Sequence, residues 1–346
     1  MPSNLARVKA AWRDRYGSPD VVYVREPPKP TPAAGEVLVR VKAASVNRAD
    51  LDGLYPRWGF IKLFLGLRAP RERYKPLGID LAGTVESVGE GVTAFKPDDD
   101  VFGDISAFGA GAFAEYVCQP VKAFAAMPRG LSFEQAACLG HSGVLAVRGF
   151  SERGGRTVLA GSRVLIVGAS GNVGPYCIQI AKSLGAHVTA VASGEKLDFV
   201  RSLGADEAID YRTTDYTRPA ERYDWIVEVD AHYPVRRWLG ALNKGGVQMA
   251  FGGPASWLLV SSIMGPLLSR TTGKHVGVAY VSPFGARDVA RLKEYVEAGV
   301  LKPVIDRRFA LDDVADALRC VDQAKSRGKV VVTMGKARAT FGTVGE

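Results

Sequence analysis

The sequence predicts an α/β protein in which a β-rich N-terminal region is followed by a doubly wound parallel sheet. Three observations predict it. Up to about Met127, short alternating apolar runs are separated by glycine and proline turns. From Arg163 onward, apolar strands alternate with helical segments at βαβ spacing. At the first of those junctions lies a glycine-rich turn, Gly168-Ala169-Ser170-Gly171-Asn172-Val173-Gly174.

Each element has its own reason. Residues 36–43 alternate, with Val37, Val39 and Val41 on one side, as in a half-buried strand. The preceding Pro27-Pro28-Lys29-Pro30-Thr31-Pro32 can be neither helix nor central strand. Residues 81–88 form a second strand, Gly89-Glu90-Gly91 a turn, and Val101-Phe102-Gly103 the start of a further strand. Ser132 is placed to cap a helix over 133–148. Strands are expected at 163–167, 187–192, 208–209, 224–229 and 246–251, with helices at 175–184, 195–203 and 235–242 between them. Such alternation implies a parallel sheet with helices on both faces. The last segment adds a helix at 287–298, strands at 304–309 and 329–334, and a helix at 311–324 that Asp312 could open.

At 346 residues the chain has room for two domains with cores of their own. Apolar residues make up 47% and charged residues 23%, the balance of a globular protein rather than a disordered one. Cys118, Cys138, Cys177 and Cys320 form no C-x-x-C pair, so neither a zinc ribbon nor a dithiol redox motif is written here. Scattered thiols fit a reducing compartment, and a cytoplasmic location is expected. Residues 1–15 lack a signal-type apolar core. Gly252, Gly253, Pro254, Gly265 and Pro266 interrupt the apolar stretch 249–268, which argues against a membrane span. The formal charge is +9, but Lys and Arg are dispersed, so nucleic acid is not an expected partner. A local positive field for a phosphate-bearing ligand is the preferred use of that charge.

A glycine trio alone marks an ordinary strand-to-helix turn as readily as a nucleotide site. Here Val164-Leu165-Ile166-Val167 runs directly into the turn, a helix follows, and a second strand comes after it. In that context the turn is expected to bind a pyridine dinucleotide. Glycines leave backbone N–H groups open to approach, and the helix N-terminus adds partial positive charge for a pyrophosphate. Gly174 permits close helix–sheet packing, and Pro175 suits the first helical turn. The end of the second strand selects the cofactor. NAD-binding proteins usually carry Asp or Glu there for the ribose 2′-hydroxyl. This chain has Ala192-Ser193-Gly194, with Ser193 as a donor and Lys196 as a charge, so NADPH is the expected cofactor. The alternative is that Lys196 is only an exposed helix residue and Glu195 takes the ribose.

Several motifs in order then carry a family resemblance. They are Gly35-Glu36-Val37-Leu38-Val39, Ala44-Ser45-Val46-Asn47-Arg48-Ala49-Asp50, Leu77-Gly78-Ile79-Asp80-Leu81-Ala82-Gly83, Gly111-Ala112-Phe113-Ala114-Glu115-Tyr116, the glycine turn, Leu203-Gly204-Ala205-Asp206 with Tyr211, and Arg327-Gly328-Lys329-Val330-Val331-Val332. From about Val8 to Met334 the chain resembles the medium-chain dehydrogenase/reductase superfamily. Within it, the chain is similar to the zinc-free quinone oxidoreductases, which include the reticulon-interacting NADPH oxidoreductases. The resemblance implies a GroES-like catalytic domain over 1–128, a Rossmann domain over 129–281, and a segment 282–346 that rejoins the first. It places the active site in the cleft between the two and implies a homodimer. It also implies that Ser170, Asn172 and Val173 face the cofactor phosphates, on the turn whose glycines Gly168, Gly171 and Gly174 are expected to bind the dinucleotide. Ser193, Lys196 and Tyr211 would hold the adenosine end, and Phe251, Gly252, Tyr280 and Val281 would line the nicotinamide.

Zinc-dependent relatives carry Cys at or near the position of Asn47 and His-Glu at Ile79-Asp80. Neither Asn nor Ile is an ordinary zinc ligand, so no metal is expected. Without a Lewis acid, alcohol oxidation lacks its usual route to an alkoxide. The expected reaction is hydride reduction of a quinone or an α,β-unsaturated carbonyl, in which developing oxyanion charge needs only hydrogen-bond donors. Asn47 and Tyr55 are the candidate catalytic residues. Asn47 could orient the substrate or nicotinamide, or be a turn residue bonding its own backbone. Tyr55 could donate a proton or stack on a ring. Relatives often carry Tyr five residues after the Asn, where this chain has Asp52, so the acid is left unassigned. Asp80 is expected to cap or pair structurally, and His141 is read as structural before catalytic. The apolar segments 58–67 and 257–268 are each followed by cations: Arg68, Arg71, Arg73 and Lys75 after the first, Arg270 and Lys274 after the second. They suggest a lipophilic small-molecule substrate or an anionic membrane surface, with packing on a second subunit or domain preferred. Two rivals stand beside the reductase: a nucleotide-binding protein with little catalysis that acts through partners, and an alcohol or aldehyde oxidoreductase of the same superfamily.

Overall fold

The computed structural model describes residues 6–56, 61–279 and 284–335. Tyr280 and Val281 lie outside the described residues, as does part of the apolar segment 58–67. The chain forms two compact units, one of Met1–Ser142, Ser282–Val289 and Pro303–Glu346, the other of Gly143–Val281 and Ala290–Lys302.

In the first unit the strand Glu36–Val46 is the hub of a seven-stranded sheet. The expected alternation of Val37, Val39 and Val41 is present, and the strand then runs on to Val46 with Ala43, Ala44, Ser45 and Val46 all buried. That extension is covered because Lys329–Thr333 and Asp80–Val88 flank it antiparallel on either side. Asp100–Asp104 and Phe124–Ala126 continue the sheet beyond Asp80–Val88. Ile305–Ala310 joins parallel to Lys329–Thr333, and Tyr116–Pro120 pairs with Glu36–Val46. Leu51, Leu54, Leu81, Val85 and Phe113 share one core with Leu311, Val314, Leu318 and Val330. Burial of these C-terminal residues is what ties the end of the chain to its beginning.

Register sets the positions that matter. Ser45 pairs with Asp80, Asp80 pairs with Asp104, and Val46 pairs with Val330. One row across neighbouring strands therefore holds Ser45, Asp80 and Asp104, and the pairing continues outward to bring Lys329 opposite Asn47.

Two helices differ from expectation for local reasons. Residues 133–148 divide into Phe133–Ala137 and Gly140–Gly149. Ser132 caps the first as expected, accepting from Gln135 N while Gln135 Oε1 accepts from Ser132 N. The break lets the second helix begin against Asp80: a Cβ on Gly140 would lie 2.6 Å from Asp80 Oδ1. At the other end, a single 3₁₀ turn, Leu311–Asp313, precedes the helix Val314–Asp322, whose N-cap is Asp313 rather than Asp312. Asp312 is engaged elsewhere, with Lys9 Nζ 2.8 Å from its Oδ2.

The second unit is a six-stranded parallel sheet in the order Glu207–Asp210, His187–Ala192, Arg163–Val167, Tyr223–Glu228, Leu242–Ala250 and His275–Val278. Chain order reverses between Arg163–Val167 and Tyr223–Glu228, the switch point at which doubly wound sheets bind ligands beyond the carboxyl ends of their strands. The sixth strand is not anticipated by the sequence, being only four residues long and interrupted by Gly277. It follows a helix, Ala255–Thr272, that tolerates Pro266 within it. Among the described residues, no helix is long and apolar enough to cross a membrane.

Candidate functional site

The glycine turn caps the central strand of the second unit. Gly168 has a φ of +78°, in the left-handed region that glycine enters without cost. Ala169 N donates to Val191 O at 3.0 Å, which ties the turn to the neighbouring strand. A Cβ on Gly174 would lie 2.2 Å from Ala169 O and 2.3 Å from its carbonyl carbon, so only glycine allows the helix Gly174–Ser183 to start this close. That helix has Pro175 in its first turn and no acidic residue there, leaving its N-terminal partial charge uncompensated. Ser170 and Val173 are buried and Asn172 half-buried. A glycine turn that opens directly into an uncompensated helix N-terminus is the kind of backbone arrangement at which anions bind.

Register brings a second group to the same carboxyl edge, since Asp210 pairs with Ala192 and Tyr211 N donates to Ala192 O at 3.3 Å. Ser193 Oγ donates to Glu195 Oε1 at 2.8 Å, and Arg212 Nη1 donates to Glu195 Oε2 at 3.0 Å. The Glu195 carboxyl is held below its ordinary value by its own backbone N–H and by Ser193, helped by Arg212. Lys196 is buried at the end of the 3₁₀ turn Gly194–Lys196 and is the N-cap of Leu197–Ser202, not the exposed helix residue of the alternative reading. Tyr211 is half-exposed, with the Arg212 guanidinium 5.7 Å from its ring centroid. Ser193, Lys196 and Tyr211 are thus brought together. Arg212 is the member that sequence reasoning missed, although it directly follows Tyr211. Phe251 and Gly252 follow the strand Leu242–Ala250 at this edge, and Phe251 N donates to Glu228 O at 2.9 Å.

In the first unit, Asn47 is the centre of a buried polar network. Its Nδ2 donates to Asp80 Oδ2 at 3.0 Å and to Ser45 O at 3.3 Å. Its Oδ1 accepts from Lys329 Nζ at 2.7 Å and from Ser142 Oγ at 3.1 Å. Lys329 Nζ also donates to Ser142 Oγ at 3.0 Å and stands 3.7 Å from Asp80 Oδ2. The N-terminus of Gly140–Gly149 completes the ring, with His141 N donating to Asp80 Oδ1 at 2.7 Å. Burial lifts the Asp80 carboxyl above its ordinary value, while Lys329, His141 and Asn47 pull it back. Beside it, His141 Nδ1 lies 2.9 Å from Asp104 Oδ2. Burial opposes charge on that imidazole, but the bond and charge of Asp104 outweigh it and hold the ring above its usual value.

These contacts change what the two candidate catalytic residues can do. Asn47 is an N-cap whose side chain binds neighbouring side chains and Ser45 O, so its amide is already engaged within the fold. Tyr55 closes the helix Arg48–Leu54 and its hydroxyl donates to Asp322. Burial, then the Asp322 bond, hold its phenol above the ordinary range, which makes it a reluctant acid. Asp80 is paired structurally, as expected, and His141 belongs to the Asp104 pair. Lys329, Ser142 and Asp104 were not singled out from sequence. The available signal was a lysine entering the wholly apolar run Val330-Val331-Val332.

Two buried carboxyls make stability depend on pH. Asp50 is pushed up to about 7 by burial, against the Asn47 N–H that bonds it. Glu228 is pushed up to about 8 by burial, against a 2.6 Å bond from Gln248. Both folded values exceed those of the unfolded chain, so stability is greatest below the ordinary carboxylate range and is lost progressively as pH rises from there to the folded values of about 7 and 8. The urea midpoint is expected to fall between about pH 4 and 8 and to level off above that, and Glu228→Gln to flatten the fall. An unchanged slope in the variant would show that Glu228 is ionised in the folded chain.

Two family models match the chain: an alcohol dehydrogenase GroES-like domain over residues 33–129, and a zinc-binding dehydrogenase over residues 203–332. The chain is 31% identical to "NAD(P)H oxidoreductase RTN4IP1, mitochondrial" of Bos taurus, across 96% of this chain and 91% of that protein. It is 30% identical to "Quinone-oxidoreductase QR1, chloroplastic" of Triphysaria versicolor, across 89% of this chain and 92% of that one. The solved quinone oxidoreductase from Coxiella burnetii matches with a TM-score of 0.81 at 25% identity, covering 95% of this chain and all of that one. The expected α/β fold, GroES-like and Rossmann, is thereby shared with proteins named as NAD(P)H and quinone oxidoreductases. The chain belongs to the medium-chain dehydrogenase/reductase superfamily and is an oxidoreductase of its quinone oxidoreductase branch.

Proposed function

We propose that this chain is an NADPH-dependent, zinc-independent reductase of quinones and α,β-unsaturated carbonyls. The observation that carries the cofactor choice is the state of Glu195. Ser193 and Arg212 both bond its carboxylate, so its charge is offset by the Arg212 guanidinium rather than left to repel a 2′-phosphate. Arg212 and Lys196 instead place two cations at the strand end that a 2′-phosphate would meet. The relatives' printed names, NAD(P)H oxidoreductase and quinone oxidoreductase, support the same reading.

The residues at the superfamily's metal position do not suit zinc. Asn47 Oδ1 faces the Lys329 ammonium at 2.7 Å, and that ammonium stands 3.7 Å from Asp80. A dication brought there would meet a fixed positive charge and a carboxamide, which is a poor zinc ligand. Among the described residues, no group of three His, Cys, Asp or Glu side chains could hold a metal ion.

Bound NADPH supplies a hydride. The chain's own part is to hold the pieces in place. The turn from Gly168 to Gly174 cradles the pyrophosphate, Ser193, Lys196, Tyr211 and Arg212 hold the adenosine end, and Phe251 and Gly252 border the nicotinamide. With the Asn47 amide and the Tyr55 hydroxyl both engaged, the proton that completes the product comes from solvent. The acceptor must then be electrophilic without a metal, which selects conjugated carbonyls over simple alcohols and aldehydes. A lipophilic acceptor and a homodimeric state are part of the same proposal.

A quinone and enone panel with NADPH and NADH in parallel tests it. NADPH is expected to give the higher kcat/KM. Arg212→Ala and Lys196→Ala should each raise KM for NADPH about tenfold, the worth of one charge-assisted bond, and leave NADH nearly unchanged. Preference for NADH in the native chain would sink the cofactor choice. Binding of NADPH without turnover of any acceptor would favour the non-catalytic rival.

A further inference from the structure

The helix Ala255–Thr272 is built inside out. Its most buried positions are small, with Leu268 half-buried against the core beside them. Ser261 is 6% exposed, and a Cβ on Gly265 would lie 2.5 Å from Val276 O in the strand His275–Val278. Ser269 fastens the same seam, its Oγ accepting from Val276 N at 3.1 Å. The outer side is the apolar one. Leu259, Ile263 and Leu267 are 62%, 65% and 53% exposed, with Val260 and Met264 beside them at 41% and 38%. Spacing of four residues sets the first three in one row along the helix. A helix folded only to bury its apolar stripe would have the opposite orientation. Contiguous large apolar side chains on an outer face mark a contact with something apolar.

Charge indicates what that something is. From Ala231 to Arg287 the sequence contains no Asp or Glu, but it contains Arg236, Arg237, Lys244, Arg270, Lys274 and Arg287. Cations gather at the C-terminal end of the helix. Arg156 donates to Gly273 O at 2.9 Å, and Lys274 is bonded to Leu239 O. Burial first, and then Arg222, lower the pKa of Lys274; burial and then Arg153 and Arg156 do the same to His275. Among the described residues, Arg156, Arg222, Arg270 and Lys274 have no carboxylate in an ion pair. An apolar row ending in uncompensated cations is complementary to an anionic bilayer, whose acyl region accepts the row and whose headgroup phosphates meet the cations. A second copy of the chain fits less well, because a two-fold seam through this face would bring the like charges together.

We propose that the outer face of this helix docks the chain on an anionic lipid surface. The helix lies flat in the headgroup region, held from behind by the Ser261, Gly265 and Ser269 seam.

Co-sedimentation of the full chain with phosphatidylcholine vesicles, with and without phosphatidylglycerol, tests the proposal. Binding is expected only with phosphatidylglycerol and is expected to weaken as salt rises. Ile263→Asp with Leu267→Asp should lower the partition coefficient at least about tenfold with unchanged far-UV circular dichroism. Ile263→Ser with Leu267→Ser provides a milder pair should the first fail to fold, with a loss in the same direction. Arg270→Gln with Lys274→Gln should remove most of the salt dependence. A native chain that stays in the supernatant overturns the proposal, as does an Asp or Ser pair that binds as well as the native chain. A native solution mass that halves in either pair assigns the face to a second copy and also overturns it.

Discussion

Replacing Lys329 by methionine is expected to cost about 3–5 kcal/mol of folding stability, the usual penalty for stripping one partner from a buried ion pair. Lys329 is 1% exposed and Asp80 is fully buried. The ammonium is the cation nearest Asp80 in the network and the donor to Asn47 Oδ1 and Ser142 Oγ. Methionine fills much of the volume and supplies none of the charge, so Asp80 must protonate or draw water inward. The matched double variant, Lys329→Met with Asp80→Leu, should recover more than half of the loss, because exchanging both charges for apolar groups is far less costly than exposing one of them. Urea unfolding of the two singles and the double gives the coupling directly. A single-variant cost below about 1 kcal/mol would show that the network does not depend on its cation.

How much of this was legible in the sequence depended on distance along the chain. The glycine turn, the strand before it and the helix after it are local, and their chemistry reads off adjacent residues. The same holds for Ser193 and Lys196 at the next strand end. The Asn47 network is not local. Both of its ends lie in recognisable motifs, yet only the register of four antiparallel strands shows that Lys329 faces Asn47 and that Asp80 stands between Ser45 and Asp104. Arg212 was missed for a similar reason: its partner, Glu195, sits beyond the neighbouring strand. The apolar stretch 249–268 had a different difficulty. Glycine and proline suggested interruption, but Pro266 lies within one continuous helix. Which side of that helix turns inward is decided by the close approach of Gly265 to Val276, and composition alone does not contain it.

Gly174→Ala is expected to lower NADPH affinity about a hundredfold, the scale of loss when a binding group moves by about an ångström. The added Cβ would lie 2.2 Å from Ala169 O, 2.3 Å from its carbonyl carbon and 2.5 Å from its Cα. All three are backbone atoms. Ala169 itself is buried and held to Val191 O, so the turn cannot yield locally and the helix must shift outward. That shift withdraws the helix N-terminus from the phosphates and should also cost about 1–3 kcal/mol of stability through overpacking. Gly171→Ala separates the two effects. Its Cβ would meet only Gly168 O, at an ordinary 3.5 Å, and Gly171 is not in the left-handed region. Stability should be unchanged or rise by about 0.4–1 kcal/mol from the stiffer unfolded chain. If the pyrophosphate rests on this turn, the methyl group stands in its path and NADPH affinity falls without any loss of fold. Fluorescence titration with NADPH and urea unfolding, run on both variants, distinguish the outcomes. A Gly171→Ala chain that binds NADPH as the native chain does would place the pyrophosphate somewhere other than the turn from Gly168 to Gly174.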